Sequence, residues 1–165
     1  MAVNIANYFE SDRISATAGE AMEVGMVVSL ENVAGQRKLM KVDAAGDLVP
    51  GKYGVVMKFS VDPRAVDSST TPASWGTRLT SIANLDDVVL VGAGAYITFD
   101  AADLDASLDA GRAGAYPAVG DRLGVKGAKF AAMGAASAII TPTVARVFEV
   151  AGTLVTVKLV SPELT

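Results

Sequence analysis

Short runs of β-branched residues, broken at close intervals by glycine, are what most restricts the folds open to this chain. The clearest pair stands near its end, where Thr143–Val150 and Thr153–Val160 flank the turn Ala151–Gly152. In the second run Val155, Val157 and Leu159 alternate with Leu154, Thr156 and Lys158. Alternation of period two turns one set of side chains inward and the other outward, which is the pattern of a half-buried strand. Valine and isoleucine together number 28 against 12 leucines, a balance that favours strands over helices.

The same punctuation predicts further hairpins. Met26–Leu30 and Arg37–Val42 are joined by a turn around Asn32–Gly35. Gly54–Val61 reads as a strand and ends at Asp62–Pro63, because proline cannot donate to a ladder and restricts the residue before it. Asp87–Val91 and Ala95–Phe99 meet through Gly92-Ala93-Gly94, and Val119–Val125 and Ala128–Met133 meet at Lys126–Gly127. Only Ala101–Ala110 reads as a short helix, with Asp100 as its cap, Leu104 and Leu108 on one face, and Gly111 as terminator.

The expected architecture is all-β, a barrel or sandwich of about eight to ten short antiparallel strands with one short helix. Its 165 residues suit a single β-rich domain over 14–165, preceded by an N-terminal arm over 1–13 and interrupted by a loop excursion over 62–81. An internal echo relates residues 23–30 to 118–125, each a Val-Gly turn entering a strand. Duplication and ordinary turn chemistry both produce such an echo.

Two absences bound the chemistry. Without cysteine there is no disulfide framework, thiolate nucleophile or Cys-ligated metal. Without histidine the commonest general base and transition-metal ligand are missing. The net charge of −4 argues against a broad nucleic-acid footprint. Met1–Glu20 carries no signal pattern, and no apolar run approaches the roughly 20 residues that span a bilayer. The expectation is a soluble, non-secreted chain that engages neither nucleic acid nor membrane.

Motifs that resemble catalytic or ligand sites fail in their context. Gly46-Asp47-Leu48-Val49-Pro50-Gly51-Lys52-Tyr53 follows a phosphate loop up to its lysine, but Tyr53 replaces the magnesium-binding hydroxyl and a strand follows where a helix is needed. Asp103-x-Asp105 opens like a calcium loop, yet Leu108 stands at the glycine position and no glutamate closes it. Asp100, Asp103, Asp105 and Asp109 read instead as a helix cap and a solvated face. Glu20-Ala21-Met22 is the run that precedes the carrier lysine of biotinyl domains, but Glu23 takes the lysine's place. No enzyme, cofactor, metal site or small-molecule substrate is expected.

Four residues are candidate partner contacts: Tyr8, Phe9 and Arg13 in the arm, and Trp75 in the polar loop that holds Asp67–Ser74. Aromatic residues outside strand patterns serve either as anchors on a neighbour or as packing on the chain's own barrel. Ile14-Ser15-Ala16-Thr17-Ala18-Gly19-Glu20-Ala21-Met22-Glu23-Val24-Gly25-Met26-Val27-Val28-Ser29-Leu30, with Tyr53-Gly54-Val55-Val56 later, resembles the opening of the capsid decoration (cement) proteins of tailed bacteriophages. That resemblance implies a β-rich homotrimer on the outer surface of the phage head, part of the virion, that binds the major capsid protein and clamps neighbouring subunits. A different class of function also fits: a β-sandwich module of a phage tail or receptor-binding assembly that recognises a glycan, with Trp75, Ser74 and Thr77 as its platform. A hydrolase working with Asp103 and Asp105 alone is a third.

Overall fold

The computed structural model describes residues 3–7, 13–48, 52–58, 81–105, 117–133 and 140–163. They form an all-β protein built from a closed barrel, a six-stranded sheet and a two-stranded ribbon. Thirteen strands occur among the described residues, more than the eight to ten expected. β1 (Val3–Asn7), β2 (Arg13–Ala18) and β3 (Met22–Glu23) precede the first hairpin, β4 (Val27–Val33) and β5 (Gln36–Lys41). β6 (Tyr53–Met57), β7 (Ser81–Ile82), β8 (Asp87–Val91) and β9 (Tyr96–Asp100) follow. Two hairpins complete the chain: β10 (Arg122–Lys126) with β11 (Lys129–Ala132), and β12 (Ile140–Ala151) with β13 (Leu154–Glu163).

The barrel runs β2-β5-β4-β6-β8 and closes because β2 pairs on both sides. Arg13–Thr17 lie antiparallel to Val91–Asp87, while Thr17 and Ala18 lie parallel to Lys38 and Leu39. The expected antiparallel arrangement is thus broken at one seam. β2 was not foreseen as a strand, since only Ala18 of its six residues is buried and its alternation is faint. The other sheet runs β1-β9-β13-β12-β10-β11, so Val3–Asn7, inside the expected arm, form an edge strand along β9.

Four turns that lead into strands share one hydrogen-bonded ring. At Glu23–Met26, the Met26 N–H donates to Glu23 O (3.2 Å), Gly25 has φ +95°, its N–H donates to Val56 O (2.9 Å), and the Val56 N–H returns to Met26 O (3.0 Å). The same ring joins Ala83–Asp86 to Ala18, Gly92–Ala95 to Leu159, and Ala118–Asp121 to Val147. The third residue has positive φ in every case, as a type II turn requires, and is Gly94 or Gly120 but also Leu85 (φ +72°). Two rings serve the barrel and two the larger sheet. The echo between residues 23–30 and 118–125 is therefore real as structure, but the other two copies fall outside its spacing, which fits turn chemistry. Val119, expected to start a strand, sits in one of these turns.

The expected helix from Ala101 does not begin as an α-helix. Leu104 N–H donates to Ala101 O (3.2 Å), giving a single 3₁₀ turn over Ala101–Asp103. The Asp105 N–H, which would bond Ala101 O in an α-helix, donates to Phe130 O instead (3.0 Å). Residues 106–110 of that expectation lie outside the described residues.

Buried side chains from both sheets make one cluster, in which Phe99 meets Phe130 edge-to-face at 5.6 Å. Backbone groups stitch the sheets together. Val27 N–H donates to Ala128 O (2.8 Å), Ala128 N–H to Val42 O (3.1 Å) and Val42 N–H to Val27 O (3.1 Å), so the β10–β11 turn docks on the barrel. The Tyr53 hydroxyl of β6 donates to Val160 O of β13.

Candidate functional site

Of the four candidate partner residues, Tyr8, Phe9 and Trp75 lie outside the described residues. Arg13 opens β2 opposite Val91, with its side chain exposed and engaged in an interaction of its own.

The carboxylate cluster is divided among structural tasks. Asp100 ends β9, Asp103 closes the 3₁₀ turn, and Asp105 faces Lys126 at 3.9 Å; Asp109 lies outside the described residues. Among the described residues no three acidic side chains stand together as a metal site would require. The phosphate-loop look-alike is a strand connection. Asp47 Oδ2 accepts the N–H groups of Asp43 (3.2 Å) and Ala44 (2.7 Å), and Tyr53 begins β6. Glu20 braces β5, taking the Lys41 N–H at 3.0 Å on Oε1 and its ammonium at 3.2 Å on Oε2.

Two ionisable groups are shifted. The Lys58 ammonium, 2.7 Å from Asp86 Oδ2, and then the Ala83 N–H hold the Asp86 carboxyl below its ordinary range. Burial pushes the Tyr53 phenol up to about 12. Both serve the fold: Asp86 closes one of the four turns, and Tyr53 joins the two sheets.

The surface with the composition of an interface is the outer face of the six-stranded sheet. In β9 and β13 the alternation buries Ile97, Phe99, Val155, Val157 and Leu159 and turns Tyr96, Thr98, Leu154, Thr156 and Lys158 away from the core. Tyr96 and Phe148 meet edge-to-face with centroids 4.7 Å apart, and Lys158 Nζ lies 5.3 Å from the Tyr96 centroid. The hydroxyls of Thr98 and Thr156 are bonded at 2.9 Å. Phe148 stays 52% exposed and Leu154 48%, on strands otherwise well packed. Phe148 faces outward by alternation from buried Val147, and the break in register that follows sets Glu149 beside it on the same face, opposite Thr156. Aromatic residues and arginine are enriched at protein interfaces, and this face carries Tyr96 and Phe148 with Arg146 opposite Lys158. This face was missed in the sequence because an aromatic residue inside a strand pattern reads as core; only the cross-strand register brings Tyr96 and Phe148 together.

No protein-family model matches the chain, and no curated protein matches it in sequence.

Proposed function

We propose that this chain is a decoration protein of a tailed-bacteriophage capsid, a structural virion component that binds the outer surface of the head and holds neighbouring major capsid protein subunits together as a homotrimer. The observation that carries this reading is where the resemblance falls. Ile14–Leu30 and Tyr53-Gly54-Val55-Val56 supply β2, the ribbon strand β3, the start of β4 and most of β6, so the likeness falls on three of the five barrel strands, β4 beside β6 and β2 closing the barrel between β5 and β8. A small barrel with a second sheet that presents apolar side chains suits a protein whose work is adhesion, because many copies of a modest contact add up on a symmetric shell.

Sedimentation of the purified protein with expanded heads of the phage that encodes it tests the proposal. Saturable occupancy of intact heads, together with a solution mass near three times 16.9 kDa, is the expected result. Heads that pellet without the protein overturn it. Tyr8→Ser with Phe9→Ser probes the arm more cleanly than deletion of residues 1–13, which also removes β1 and the first residue of β2.

A further inference from the structure

Arg122, Arg146 and Lys158 stand in one row across the outer face of the six-stranded sheet. Arg122 lies opposite Arg146, Arg146 opposite Lys158, and Lys158 opposite Tyr96. Neighbouring strands are roughly 4.8 Å apart, which sets the three positions within about 10 Å. Like charges placed directly opposite one another destabilise a sheet. Such a row is unexpected in a chain whose net charge is −4. Arg146 is half-buried and has an interaction of its own, whereas Arg122 and Lys158 are exposed. The exposed ring of Phe148 borders the row through its contact with Tyr96.

We propose that this face docks an acidic protein surface, with carboxylates of the partner set on Arg122 and Lys158 and an apolar side chain of the partner against Phe148. Charge complementarity selects the occupant, since apolar contact alone would not need three cations in register. A nucleic acid fits less well. Single strands are held by bases stacked on open aromatic faces, but the Tyr96 ring already has Lys158 against it and Phe148 at its side. The proposal goes beyond the decoration reading, because it holds for a capsid subunit or for any other acidic protein.

The test is an NMR titration of the isotope-labelled full chain with a ten-residue polyglutamate peptide and, separately, with a ten-nucleotide oligothymidylate. Expected are saturable amide shifts centred on residues 96–98, 122, 146–149 and 156–158 with the peptide. Affinity should fall about tenfold in the Arg122→Gln/Lys158→Gln variant, as loss of two exposed charge contacts implies. Shifts centred elsewhere, an unchanged variant, or tighter binding of the oligonucleotide would overturn the proposal. Arg122→Gln alone supplies a readout independent of binding. Its urea midpoint at low salt should equal or exceed that of the parent, since a like-charge pair is relieved, and a clear drop would make the row structural and sink the idea.

Discussion

At Gly54 a β-carbon would lie 2.3 Å from the carbonyl oxygen of Val91 and 2.8 Å from its carbon. These are backbone atoms of the neighbouring barrel strand, so relief requires β6 and β8 to separate. Gly54→Ala is expected to cost about 1–3 kcal/mol, the range for forcing extra volume into a packed interior, read as a lower urea midpoint with an unchanged slope. A midpoint equal to the parent's would show that the seam has slack. The sequence marks Tyr53-Gly54-Val55-Val56 as strand, yet the need for glycine comes from residue 91 and is invisible locally. The candidate site was hidden for a related reason. Arg122, Arg146 and Lys158 are unremarkable along the chain and become a row only through register.

The four ringed turns show how one local device is reused. Three place glycine at the left-handed position, while Leu85 stands there at φ +72° with 61% of its side chain exposed. A side chain pays roughly 1–2 kcal/mol for that conformation, and glycine's extra freedom in the unfolded chain returns part of the gain. Leu85→Gly should therefore raise the thermal midpoint slightly, while Gly120→Ala should lower it. Loss of stability in Leu85→Gly would mean that the leucine side chain itself holds the turn. The glycine-marked turns were legible because glycine announces positive φ; the Leu85 copy was not, because nothing in Ala83-Asn84-Leu85-Asp86 does. The expected helix opens as a 3₁₀ turn for a non-local reason too, its Asp105 N–H being claimed by Phe130.

For the molecule as a whole, the fold class could be read from alternation and β-branched content, but barrel closure could not. Closure depends on β2, whose one buried residue leaves little pattern to detect. The joint between barrel and sheet carries a pH signature. The Tyr53 phenol is held neutral up to about 12 by burial, whereas a tyrosine in the unfolded chain ionises near pH 10. Its contribution is fully present below pH 10 and is lost as pH rises towards 12, a total of about 3 kcal/mol. Urea midpoints from pH 8 to 12 for the parent and for Tyr53→Phe should show the parent's advantage shrinking above pH 10. A constant gap between the two curves would mean that the phenol ionises as if exposed.

The pairing of β1 with β9 and of β2 with β8 also has a consequence for how the chain is made. On a ribosome β1 can meet β9, and β2 its antiparallel partner β8, only after residues 87–100 have been synthesised, and the docking turn at Ala128 comes later still. Contacts this distant in sequence make folding slow. During synthesis β4, β5 and β6 can pair while the barrel stays open, with unsatisfied edges exposed to other nascent chains. Recovery of the protein from a cell is then exposed to the spacing of nascent chains on a polysome as well as to the stability of the finished fold.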